Sequence, residues 1–364
     1  MDIYILTKEL EFVGLVDDYT SFQFTKHYDD IGDFQLTVNN RSKNASTLIN
    51  GKVVLMRDKV NKAGIIDHVE INVNEDGLEQ RIVKGKTLGA IFNDRLTLPN
   101  GEFDAVEDNV ESVIRHYVNR NIINSIDESR NIEILSTTVN QNRGITIRWQ
   151  TRFDTLSQVV HDICYLYNFG WDIDIDLENR TWFFYIYQGQ DKSAKQDSVS
   201  PVIFSNKFGS VIGLDYLKND AKYKNFAYVA GKGEGESRDI FEVGESKGFD
   251  RKETLIEVRP SEDEYIDVPE MGKRRLEEFS VIETFEADIT QNKMFTYGQD
   301  YYLGDLVTVE DEDWGVSLDR QITSITEIYE DNRYSITASF GTKTLSMIDR
   351  LKQELKVFEP YTKK

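Results

Sequence analysis

The stretch Gly51–Asp58 (GKVVLMRD) is matched far downstream by Gly304–Asp311 (GDLVTVED). A long alternating hairpin with an acidic turn follows each copy, the turns lying at Asn74–Gly77 and Glu330–Asn332. Ile66 precedes Gly85 by 19 residues, and Ile322 precedes Gly341 by 19. The hairpins then run out through Gly85–Leu88 (GKTL) and Gly341–Leu345 (GTKTL). Upstream, Ser21–Phe24 followed by Phe34–Val38 is echoed by Ser210–Gly213 followed by Phe226–Val229. Similarity kept in order over such a length marks one β domain present twice.

The surrounding pattern agrees. Short runs at Ile3–Leu6, Glu11–Val16, Ser21–His27, Phe34–Val38, Val53–Arg57, Gly64–Val73 and Glu79–Lys84 are separated by turn residues, as in closed or sandwich-like β domains. Asp104 opens a helical pattern with Val106, Val110, Val113, Ile114, Tyr117 and Val118 at three-and-four spacing. A second helix is expected from the N-cap candidate Asp154, with Leu156, Val159, Val160, Ile163 and Leu166 inward and Asn168 and Gly170 closing it. Strands near Ile145–Trp149, Trp171–Ile175 and Trp182–Tyr187 complete this block. Pro269 is placed at the start of a short helix, and Leu345–Phe358 is expected to be helical.

The expected fold class is mainly β with α+β insertions, built on two tube-like β-barrel domains. The first domain spans 1–100 and an α+β domain spans 101–195. The second β domain occupies 196–232 and 283–345 around inserted strands and a short helix at 233–282. A C-terminal helix and tail fill 346–364.

Charge narrows the function. Sixty-four acids against 43 bases give a net charge of −21 with no interrupting run of Lys or Arg, so the chain lacks the basic stripe that neutralises phosphates. No window approaches a membrane span, and from the strand pattern at Met1–Tyr4 no signal peptide is expected. The single cysteine, Cys164, sits among Val160, Ile163 and Tyr167 and reads as core. Such a chain is expected to fold in a reducing cytosol.

Chemical motifs fail one after another. Gly85–Thr87 lacks the P-loop glycine, since Gln80 stands five positions before it, and Gly231–Gly235 has Glu236 where a dinucleotide loop needs its third glycine. Asp172–Asp176 (DIDID) mimics a calcium loop, but its alternating isoleucines describe a strand with one wet and one buried face. His27, His68, His116 and His161 have no second ligand at metal-site spacing, and no G-x-S-x-G elbow occurs. Catalytic residues, metal ligands and cofactors are therefore expected to be absent. The segment Lys26–Val38 (KHYDDIGDFQLTV) gathers acids and an imidazole, yet alternation makes it a hairpin turning at Asp29–Gly32, with Gly32 supplying a positive φ.

That hairpin also carries a resemblance. Tyr28–Leu36 (YDDIGDFQL) resembles the N-terminal signature of siphophage tail-tip or baseplate hub proteins. Matches follow in order at Asn119–Asn121, Arg130–Ile132, Tyr223–Gly233, Arg251–Glu253 and Tyr297–Val307 (YGQDYYLGDLV). The resemblance implies a homotrimer in which two tube-like domains per subunit make a six-domain ring continuing the tail tube. DNA would pass through an acidic lumen without binding. Implied partners are the distal tail, tail-tube and tape-measure proteins and receptor-binding or tip proteins, with no stable membrane association. Expected interface residues are Phe34, Leu36, Val38, Leu306, Val307 and Val309. Two other readings stand beside it: a module binding host wall polysaccharide, and a cell-wall hydrolase with a concealed carboxylate pair.

Overall fold

The computed structural model describes residues 2–57, 59, 61–73, 77–258, 268–289, 294–330 and 333–341. The expected turns at 74–76 and 331–332 and the expected helix Leu345–Phe358 lie outside them. Two compact units partition the chain: Met1–Leu214 with Ala287–Ala338, and Asp215–Glu286 with the described residues from Ser339 on.

Strands β1 (Ile3–Leu6), β2 (Phe12–Val16), β3 (Tyr19–His27), β4 (Asp33–Asn39), β5 (Val53–Met56), β6 (Ala63–Val73) and β7 (Glu79–Thr87) come first. They lie side by side in the order β3-β4-β7-β6-β5-β1-β2, every pair antiparallel. Alternation fixes the register. Phe22 opposes Leu36 and Phe24 opposes Phe34, so these side chains meet Val38, Ile3, Ile5, Val54, Met56 and Val83 in one core. Each large side chain buried there contributes about 1.5–3 kcal/mol. A one-residue slip would turn the whole set to water.

Next come β8 (Asp104–Asn109), α1 (Val110–Val118), β9 (Leu135–Thr137), β10 (Thr146–Thr151), α2 (Leu156–Tyr167), β11 (Gly170–Asp176) and β12 (Thr181–Tyr187). Sequence periodicity starts the first helix at Asp104, but Asp104–Asn109 is a strand paired with Thr146–Thr151. The helix begins where Asn109 accepts a hydrogen bond from the Ser112 amide at 2.9 Å, satisfying an otherwise orphaned donor. Thr155, not Asp154, precedes α2, and the Asp154 carboxylate accepts from the Thr151 hydroxyl at 2.6 Å instead. Asn168 ends α2 in the left-handed conformation at φ 56°, the role its position predicts. Both helices pack with Trp171, Ile173, Trp182 and Phe184 of the β11-β12-β9 sheet, and Cys164 lies fully buried in that core.

A buried ion cluster holds the start of α1. Glu111 is fully buried and receives Arg115 Nη2 at 2.8 Å and Arg143 Nε at 2.8 Å. Burial alone would raise its pKa; the hydrogen bonds from Arg143 and Arg115 win and hold it at about 2, below the usual 4.5. A carboxylate depressed on folding stabilises above its unfolded pKa, and that stabilisation disappears as pH falls through the folded value. We therefore expect about 3 kcal/mol to be lost between roughly pH 4.5 and 2. Glu111→Gln should lower stability at neutral pH and flatten this acid limb, as read by urea melts across the range; an unchanged limb would contradict the assignment.

The remaining elements are β13 (Ile203–Ser205), β14 (Val211–Asn219), β15 (Phe226–Ala230), β16 (Ile240–Val243), β17 (Glu253–Glu257), α3 (Val268–Glu277), β18 (Ile282–Ile289), β19 (Leu306–Asp311), β20 (Val316–Glu330) and β21 (Arg333–Gly341). Pro269 lies in the first turn of α3, where a missing N–H costs no helix bond. In the second unit, β16-β15-β17 forms a small sheet whose Ala227, Val229 and Ile256 pack with Val268 of α3. This corrects the sequence match of Phe226–Val229 to Phe34–Val38, because β15 belongs to that separate sheet and the strand beside β14 is β18. The order β3-β4-β7-β6-β5 then recurs as β14-β18-β21-β20, with β19 against β20 and β13 against β19. β20 pairs with β3 from Ser324↔His27 to Glu330↔Ser21, so the strands make one open thirteen-stranded sheet. Two separate closed barrels are not present among the described residues, since the free side of β3 is taken by β20.

Candidate functional site at the β3–β4 turn

The turn after β3 is where three stretches of the first unit meet. Tyr28 is only 3 % exposed, and its ring stands edge-on to Tyr187 at 5.4 Å. Its hydroxyl donates to the Asn168 carbonyl at 3.2 Å and accepts from the Gly189 amide at 3.1 Å. Burial raises the phenol well above its ordinary pKa. Its backbone is tied as firmly, the amide donating to Thr323 O at 2.9 Å and the carbonyl accepting from Trp171 N at 3.2 Å. One aromatic residue thus joins β3, the α+β block and β20.

Glycine makes room for it. A Cβ on Gly304 would stand 2.1 Å from Tyr28 Cε2, and one on Gly170 would stand 2.5 Å from the same atom. Gly304 also has φ +92°, a backbone that side chains disfavour. Gly32 serves differently from expectation. It does not adopt a positive φ; it admits the Thr25 carbonyl, which a Cβ would approach to 2.0 Å.

Asp29 is read through its backbone. Its carbonyl accepts from Trp171 Nε1 at 2.9 Å and from His161 Nδ1 at 3.0 Å. Asp30 caps the turn by accepting from the Ile31 amide at 2.7 Å. The Asp29 carboxylate lies farther from the same ring, Oδ2 standing 3.9 Å from His161 Nδ1, so the nearer partner of that nitrogen is the Asp29 carbonyl.

Sequence alone placed Asp172 and Asp174 on a wet strand face. Ile173 and Ile175 are indeed buried, but both aspartates face the Lys26 amine. Lys26 contacts Asp172 directly, and Asp174 Oδ1 lies 3.6 Å from the same Nζ. Burial pushes Asp174 up to about 6, against the pull of Lys26. Lys26, despite burial, is held above its ordinary value by the two aspartates. The available clue was a lysine placed between the Phe24 and Tyr28 positions of a strand otherwise built for burial.

Two further buried ion pairs tie the turn's surroundings. Lys192 meets Asp305 Oδ2 at 2.8 Å, beside Gly304. Lys62, on the β5–β6 connection, contacts Glu327 of β20 and donates to Tyr329 OH at 2.6 Å. Burial would raise Glu327, yet Lys62 holds it below the usual carboxylate range. Pairs of this kind contribute little net energy but make mispacking costly, because a stranded charge cannot be solvated.

The expected interface residues occupy strand interiors. Phe34, Leu36 and Val38 are buried in one core, and β4 is flanked by β3 and β7. Val307 and Val309 are fully buried, Leu306 is half-buried, and β19 is flanked by β20 and β13. The two trios are not brought together, since β3 and β20 stand between their strands. Among the described residues, no group of three or more His, Cys, Asp or Glu could hold a metal ion, and no helix is long and apolar enough to cross a membrane.

The fold of this chain is shared with solved phage tail proteins. The 43 kDa tail protein of prophage MuSo2 from Shewanella oneidensis superposes with a TM-score of 0.61 at 13 % identity, over 93 % of this chain and 98 % of its own. The tail protein of Neisseria meningitidis MC58 gives 0.58 at 11 %, covering 93 % and 95 %. The prophage tail protein gp18 of Listeria monocytogenes EGD-e gives 0.52 at 12 %, covering 98 % and 99 %. Residues 2–342 match the family model of the Siphovirus ReqiPepy6 Gp37-like proteins, and the chain belongs to that phage tail family. A comparison with curated proteins found no significant match.

Proposed function

We propose that this protein is the hub of a siphophage tail tip, a non-enzymatic homotrimer that continues the tail tube and serves as a DNA conduit and attachment platform. The recurring strand order carries the reading: one chain offers the same five-strand arrangement twice, so three chains supply six tube units. That is what joining a hexameric tube to a threefold tip requires. Under this reading the residue ranges 1–100 and 196–345, less the insertion at 233–282, are the two tube domains.

Subunit joining falls to strand edges. Beyond Ile66, β6 runs on to Val73 with β7 on one side and no strand on the other among the described residues, and it exposes Ile71 and Val73. Such an edge is a template for a second chain. Phe34, Leu36, Val38, Leu306, Val307 and Val309 then support the joint by stiffening the wall behind it. The acidic balance suits a passage that DNA crosses without sticking, and partners are the tail-tube, distal-tail, tape-measure and tip proteins. Sedimentation equilibrium should give three times the chain mass as concentration rises, and duplex DNA should not bind at physiological salt. A monomer even when mixed with tail-tube protein, or tight duplex binding, would overturn the proposal.

A further inference from the structure

We propose that Lys26 and Asp172 close an autocatalytic amide cross-link between β3 and β11, with Asp174 as the proton carrier. Asp172 and Asp174 leave the same face of β11 two residues apart and converge on one amine, which touches Asp172 and lies 3.6 Å from Asp174 Oδ1. All three side chains are only 13 % exposed, and the half-buried tyrosines Tyr185, Tyr187 and Tyr297 stand near them. Tyr185 hydrogen-bonds to Asp174.

One ammonium against two carboxylates leaves a carboxylate in excess. Burial pushes Asp174 up to about 6, so near neutral pH this excess group is still mostly a carboxylate, free to accept a proton and able to return it. A carboxyl able to gain and release a proton beside an amine–carboxylate contact is what condensation needs. The resting pair keeps Lys26 charged, so its proton must move by one short transfer to Asp174 before the nitrogen lone pair is free. Holding amine and carboxyl in contact removes the encounter cost, an advantage of up to about 10⁵–10⁸ M in effective concentration.

The atoms balance without a further reactant. The freed amine attacks Asp172 Cγ, the C–N bond forms, and one Asp172 oxygen departs. Two of the three ammonium protons leave with that oxygen as water, and the third stays on the amide nitrogen. Asp174 relays the two protons from nitrogen to oxygen in turn and ends as it began. The low exposure of the three side chains would slow hydrolysis of the product.

The cross-link would join residues 146 positions apart. Intact-mass measurement of the full chain, unfolded and reduced, should show a species lighter than the sequence by one water. Proteolysis should then yield a joined peptide pair containing Lys26 and Asp172. Lys26→Arg should restore the full sequence mass. Asp174→Asn, which keeps both bond-forming residues, should lower the cross-linked fraction at least tenfold in protein recovered folded. A wild-type chain with the full sequence mass, or a water loss mapping elsewhere, overturns the proposal. Complete cross-linking in Asp174→Asn removes Asp174 from the mechanism. The mass readout is independent of oligomeric state, so its failure would leave the hub reading untouched.

Discussion

Gly304→Ala is expected to destabilise the first unit by about 2–5 kcal/mol, from overpacking plus a left-handed backbone that alanine disfavours. The new methyl would collide with the Tyr28 ring at 2.1 Å. That ring cannot retreat easily, because its hydroxyl and both of its backbone groups are bonded to other segments. Gly298 provides the control. It has a similar φ of +84° but nothing within 4 Å of an added Cβ, so Gly298→Ala should cost only the backbone part, about 1–2 kcal/mol. Urea denaturation of the pair separates the two contributions. Equal losses would mean that Tyr28 does not hold the joint as described.

Leu36→Asp and Val307→Asp should have still larger effects. Both positions are fully buried in strands flanked on each side, so neither carboxylate can reach water or a partner. The cost exceeds about 4–5 kcal/mol, comparable to the whole stability of many domains. Loss of soluble folded protein is therefore expected, with Leu36→Met as a mild control costing under about 1.5 kcal/mol. Normal assembly by both aspartate variants would contradict the placement of these side chains.

Much of this architecture was legible locally. The β3–β4 hairpin, its Phe22, Phe24, Phe34, Leu36 and Val38 face, and the Asn168 cap follow from alternation and turn chemistry within short windows. What escaped depends on partners distant in sequence. Asp104–Asn109 continues a helical spacing on paper, but its strand state is set by Thr146–Thr151. Phe226–Val229 resembles Phe34–Val38 because both are buried strands, and only pairing tells their sheets apart. Gly32 reads as a turn glycine, whereas the Thr25 carbonyl explains it. The Lys26–Asp172–Asp174 group was the least visible, since charged residues on an alternating strand read as a wet face until the opposing amine is found.

The central claim is that one chain supplies two tube units and three chains close a ring. Negative-stain electron microscopy across a concentration series, alone and with tail-tube protein, addresses it most directly. The account predicts threefold particles with six lobes around an open centre. Monomers under every condition, or rings whose lobe number equals the chain number, would contradict it.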